Sequence, residues 1–123
     1  MIVYLAGPID LVSSEEAKGW REELVLPPGV LTVSPAHGYR GATLETAPDV
    51  DRVCRAMIRA SDWVLANLCG EGLAVGTIRE IEYAKSLGKL VVVAWPLDRE
   101  VPFMLHDTVL APSPQDAMLT IEM

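Results

Sequence analysis

Glu80 closes the stretch Gly76-Thr77-Ile78-Arg79-Glu80, about one turn into a helix that follows an apolar strand. A carboxylate at that edge of a sheet is placed to act as a nucleophile. The plainer reading is a solvated first-turn acid favoured by the helix dipole. Glu82 lies two residues on, about 200° around a helix of about 3.6 residues per turn, so the two acids cannot point into one site. Tyr4 sits in the apolar run 1–6, where its phenol can hold a carboxylate in one rotamer or simply fill the core. Gly7, Pro8 and Ile9 follow; a Gly there lets backbone or ligand approach, and the next helix turns its N-terminal amides toward the same edge. Ordinary turns use Gly and Pro as well. Asp62 reads as a turn cap, and Asn67 faces the crevice or the opposite side according to pleat parity. No His, Cys and Asp cluster has metal-ligand spacing, so neither a metal nor an organic cofactor is implied.

The elements that must position these residues follow from periodicity. Residues 1–6 (MIVYLA) read as a fully buried strand, and 13–26 as a helix, with Ser13 and Glu16 at capping-box spacing and Ala17, Trp20 and Leu24 on one face. Val30 to Val33 is a second strand, and Ser34 to Asp49 reads as a long loop over a site. Val50, Val53, Met57 and Ile58 or Ala60 mark the next helix, WVLANL (63–68) the third strand, and CGEGLAVGT (69–77) a Gly-rich loop. Ile78, Ile81, Ala84 and Leu87 give a helix ended by Gly88, LVVVAW (90–95) a fourth strand, and 108–111 and 114–122 a fifth strand and a last helix. This βα alternation predicts an α/β, doubly wound parallel sheet of about five strands in flavodoxin-like order 2-1-3-4-5, one domain spanning 1–123, with a ligand crevice at the carboxyl ends of the strands.

Composition narrows the partners. The chain has 123 residues, 50% of them hydrophobic, with 10 Lys and Arg against 17 Asp and Glu, a net charge of −7. Polynucleotide backbones would be repelled. The mean hydropathy is +0.27, yet no apolar run approaches the roughly 20 residues of a spanning helix. A soluble, cytoplasmic protein without a membrane partner is expected, with Cys54 and Cys69 as reduced thiols.

Taken together, Tyr4-Leu5-Ala6-Gly7-Pro8-Ile9, the stretch 61–68 (SDWVLANL), Gly76-Thr77-Ile78-Arg79-Glu80-Ile81-Glu82-Tyr83-Ala84 and Gly88-Lys89 resemble the nucleoside 2-deoxyribosyltransferase family. The resemblance runs from residue 2 to about 95, and its last motif is the most specific. It implies an enzyme that cleaves or transfers the N-glycosidic bond of a nucleoside or nucleoside 5′-monophosphate. Glu80 would attack the anomeric carbon, Tyr4 would touch that Glu, Gly7, Pro8, Ile9, Gly76 and Thr77 would form walls, and His37 would meet the base. Cleavage of such a bond passes through an oxocarbenium-like state that a carboxylate can trap. The resemblance also implies a homo-oligomer in which residues near 102–107 reach a neighbouring subunit's site, although His106 reads more simply as a surface His.

Two departures stand out. The family's Asp in the helix before the third strand falls on Cys54, leaving Asp51, one turn earlier, as the nearest acid. An Arg just after the first Gly, which holds phosphate in nucleotide-specific relatives, is replaced by Asp10, Ser13 and Ser14; Arg40 or Arg79 is the compensating cation, or each is a surface charge. The competing reading is a non-catalytic nucleotide-binding or regulatory module on the same fold.

Overall fold

In the computed structural model, which describes residues 1–8, 14–35, 47–70 and 75–121, the N-terminal apolar run is strand β1 (Ile2–Ala6). There follow α1 (Ser14–Glu23), β2 (Leu31–Val33), α2 (Ala47–Ala60), β3 (Trp63–Asn67), α3 (Val75–Ser86), β4 (Leu90–Ala94), β5 (Val109–Ala111) and α4 (Pro114–Ile121). Every strand pairing is parallel, and the order is β2-β1-β3-β4-β5, as the alternation predicts. Tyr4 pairs with Val64 and Ala6 with Ala66, so β1 and β3 end together at one edge of the sheet.

Strand parity divides the core. Val3, Leu5, Leu65 and Val92 pack with Met118 and Ile121 of α4 and with Trp20 and Leu24 on the α1 side. Tyr4, Ala6, Val64, Ala66, Val91 and Val93 pack with Ile58 of α2 and Ile81 and Ala84 of α3. Both faces of the central strands are covered, which is why they read as unbroken apolar runs. Each fully buried side chain such as Ile58 or Ile81 contributes roughly 1.5–3 kcal/mol.

The joints are local chemistry. Gly88, at φ +73°, ends α3 in the left-handed conformation, while Lys89 N–H donates to Ala84 O at 3.0 Å. Ser113 caps α4: its Oγ accepts from Asp116 N–H at 3.1 Å and donates to the Asp116 carboxylate at 2.8 Å. Asp62 is structural, as expected, its carboxylate accepting Ile2 N–H at 2.8 Å.

Three expectations need correction. Helix α2 starts at Ala47, inside the stretch read as loop, and its buried stripe is Cys54, Ile58 and the following Ser61, whereas Val53 is 40% exposed and Ala60 is exposed. Cys54 is as apolar as Val in a core and occupies the stripe in its place. Helix α3 starts at Val75, so Gly76 and Thr77 belong to its first turn and not to a loop; a Gly costs little where the helix amides are still unpaired. Leu87, placed on the buried stripe of that helix, is 42% exposed, because the chain is already turning away at Gly88.

Candidate active site

The pleat sends Tyr4 to the α2–α3 side of the sheet, where it is fully buried. On α3, Thr77, Ile81 and Ala84 form the buried stripe, and Glu80 sits beside it, half-buried, with Oε2 shielded from solvent. From α2, Cys54 enters the same space. From the other side of the sheet, Arg21 of α1 reaches the carboxyl end of β1. Its Nη1 donates to Ala17 O, and Nη2 donates to Gly7 O at 3.2 Å and Leu5 O at 3.5 Å. Four elements therefore bring a phenol, a carboxyl, a thiol and a guanidinium together.

These groups set one another's protonation. Burial pushes Glu80 up to about 7; Tyr4 as a donor and Arg21 as a cation pull it down, and Asp51 raises it. Burial first, and then the charge of Glu80, hold the Tyr4 hydroxyl far above the usual phenol range, so it stays protonated and can donate. Burial likewise raises the Cys54 thiol; the Tyr4 hydroxyl opposes this, and Glu80 and Asp51 add to it. A protonated thiol is a poor nucleophile. Arg21 is lowered to about 10 by burial, with Tyr4 and Glu80 opposing the change, and remains a cation at neutral pH. Tyr4 lies near enough to Glu80 and Cys54 to couple with both, yet Tyr4 Oη, Glu80 Oε2 and Arg21 Nε have no hydrogen-bond partner of ordinary geometry.

The remaining predicted residues divide. Asp51 is exposed and pairs with Arg55 Nε at 3.0 Å, while its charge still reaches Glu80. Thr77 is buried and Gly76 exposed. Gly7 is required for packing: a Cβ there would lie 2.9 Å from Trp20 Cζ2 and 3.4 Å from Arg21 Nη2. Asn67 shares the parity of Trp63 and Leu65, toward α1, and its Oδ1 accepts Cys69 N–H at 3.0 Å. With Pro8 and Trp20 it lines an open cleft of about 470 Å³ that also carries Glu15, Glu16 and Glu23. That cleft opens on the α1 side of the sheet, opposite Tyr4; the buried ionisable cluster, not the cleft's volume, marks the chemistry. Ile9, His37, Asp10, Ser13 and Arg40 lie outside the described residues. Arg79 and His106 are exposed, and His106 Nε2 lies 3.3 Å from Val101 O.

Sequence reasoning missed Arg21. A signal was there: Arg21 falls four residues after Ala17 and three before Leu24, on the apolar stripe of α1 where a cation has no reason to be.

No protein-family model matches the chain, and no curated protein does. Solved structures do match. A 2-deoxyribosyltransferase from Bacillus psychrosaccharolyticus is similar over 96% of this chain and 90% of its own, with a TM-score of 0.73 and 19% identity. A 2-desoxiribosyltransferase from Leishmania mexicana gives a TM-score of 0.62 at 24% identity, over 93% of this chain and 76% of its own. A Clostridium botulinum CMP N-glycosidase gives 0.58 at 12% identity, over 100% of both chains. The chain has the fold of these proteins, a five-stranded parallel sheet with helices on both faces.

Proposed function

We propose that this chain is an enzyme of the nucleoside 2-deoxyribosyltransferase family that cleaves or transfers the N-glycosidic bond of a nucleoside or nucleoside 5′-monophosphate. The observation that carries the reading is Glu80, a buried carboxyl poised near neutrality beside a protonated Tyr4. The deoxyribosyltransferases and the N-glycosidase that share the fold support it.

In the proposed reaction, a Glu80 oxygen bonds to the anomeric carbon as the carbon–nitrogen bond breaks, and the electron pair leaves with the base, which takes a proton from solvent. Water then attacks the anomeric carbon in hydrolysis, or a nitrogen of a second base does so in transfer; the bond to Glu80 breaks, its carboxylate is released, and the proton of the attacking group returns to solvent. Tyr4 donates to Glu80 and fixes its rotamer. Gly7, Pro8, Ile9, Gly76 and Thr77 line the sugar, and His37 meets the base. Cys54 stands where an acid is expected, which leaves Asp51 as the nearest carboxylate for a sugar hydroxyl. The enzyme acts in the cytoplasm as a homo-oligomer.

The test is a panel of nucleosides and 5′-monophosphates, with and without an acceptor base, read by chromatography for free base. Base release that depends on Glu80 is expected, with Glu80→Ala folded and slower by roughly a thousandfold or more. Ligand binding without base release from any substrate would replace the proposal with the non-catalytic module.

A further inference from the structure

Helices α2 and α3 lead into neighbouring strands of one parallel sheet and pack on the same face of it, so they run side by side in the same direction. Side-chain contacts fix their register. The Arg55 guanidinium lies over the Tyr83 ring at 4.7 Å, Arg59 Nη1 donates to Tyr83 Oη at 2.9 Å, and Lys89 Nζ, just past the end of α3, donates to Arg59 O at 3.0 Å. Tyr83 itself packs against the core cluster that holds Tyr4 and Ile58. With Arg55 level with Tyr83, one turn back along each helix leads to Asp51 on α2 and to Arg79 and Glu80 on α3. Asp51 also lies seven residues before the buried Ile58, about 20° from it around a helix of about 3.6 residues per turn, and so on the side of α2 that faces the sheet. It stands one turn beyond Cys54, toward the carboxyl ends of the strands.

The carboxylate is held there. Arg55 Nε pairs with Asp51 Oδ2 at 3.0 Å, so one guanidinium joins an aromatic anchor on α3 to an acid across from Glu80. The pair engages Oδ2, and Oδ1 keeps lone pairs for a hydroxyl donor. An exposed pair of this spacing contributes little to the fold, so its removal leaves the helix standing while freeing the acid to turn.

We propose that Arg55 is a positioning residue: stacked on Tyr83, it holds the Asp51 carboxylate across from Glu80 to accept a hydroxyl of the sugar. The inference deepens the reading of Glu80 as nucleophile given above and rests on it. It makes the chain selective for sugars that keep that hydroxyl.

The test compares matched nucleosides that keep or lack the 2′- or the 3′-hydroxyl, read by free-base release in the wild type, Arg55→Gln, Arg55→Lys and Asp51→Ala. Arg55→Gln is expected to lower kcat/KM about tenfold on substrates that keep the hydroxyl, mainly through KM. The loss is expected to vanish on the analogue that lacks it, and Arg55→Gln is expected to add nothing in the Asp51→Ala background. Arg55→Lys still pairs with Asp51 but lacks the planar group that stacks on Tyr83, so it should fall between Arg55→Gln and the wild type. A folded Arg55→Gln equal to the wild type on every substrate overturns the proposal. An equal loss with and without the hydroxyl marks a merely structural role and overturns it too. If Arg55→Gln does not fold, Arg55→Lys decides on the same two criteria. Either failure leaves base release, and with it the glycosyl reading, in place. No base release from any nucleoside or 5′-monophosphate removes that reading and this inference together.

Discussion

Glu80 is held between two opposing influences, burial that favours the acid and the Arg21 and Tyr4 side chains that favour the carboxylate, and the balance falls at about 7. A nucleophilic carboxylate must be ionised, so kcat/KM for base release is expected to rise with pH through about 7, with no alkaline fall from Tyr4, which stays protonated. A pH–rate profile whose acid limb sits in the ordinary Glu range, about 4.3, would remove Glu80 from the rate-determining ionisation. The same shift acts on stability. The folded-state value lies above the ordinary 4.5, so folded protein binds the Glu80 proton more tightly than unfolded protein does. Its contribution is therefore full below about 4.5, declines as pH rises to about 7, and is absent above that. Glu80→Gln does not titrate there, so it should become more stable relative to wild type between pH 4 and pH 8, by a few kcal/mol at most. Urea denaturation of both proteins at the two pH values measures this. An equal difference at both would show that burial does not perturb Glu80.

At the scale of elements, the β1–α1 junction matters most, because α1 packs Trp20 against Gly7, in a space that a missing Cβ leaves open, and brings Arg21 to the Leu5 and Gly7 carbonyls. Gly7→Ala places a methyl 2.9 Å from Trp20 Cζ2 and 3.4 Å from Arg21 Nη2. Overpacking of this kind typically costs about 1–3 kcal/mol. A denaturation midpoint lowered by that amount is expected; an unchanged midpoint would mean that α1 shifts freely on the sheet. The Gly7-Pro8 turn was legible in the sequence as an opening for ligand or backbone, but not as a seat for Trp20 and Arg21, because that depends on how α1 packs across the sheet. The α2 stripe was misread for a related reason: periodicity favoured Val53, whereas packing chose Cys54, one residue round the helix. That one-residue difference brings the thiol to Tyr4 and leaves Val53 outward.

For the whole molecule, the strand order and the division of helices between two faces were legible, since buried parallel strands and amphipathic helices leave strong periodic signals and right-handed crossovers restrict the topology. Tyr4 and Glu80 were legible as a pair through motif resemblance, and the structure brings them together. Arg21 was legible only as a cation on the apolar stripe of α1, because the strand carbonyls that it reaches depend on how that helix packs on the sheet. The surface carries a further consequence. Phe103 is 94% exposed and Leu97 87%, and Met104 beside Phe103 is 43% exposed, in the segment that joins β4 to β5. Isolated apolar side chains are common on monomers, but an aromatic left almost wholly in water is a costly way to end a loop unless something covers it. If a second copy covers it, sedimentation should give a multiple of 13.4 kDa, and Phe103→Asp should shift the distribution toward the single chain while leaving the denaturation midpoint of the fold unchanged. A wild-type protein that sediments at 13.4 kDa over the micromolar range would show that the segment 102–107 does not reach a neighbouring subunit's site.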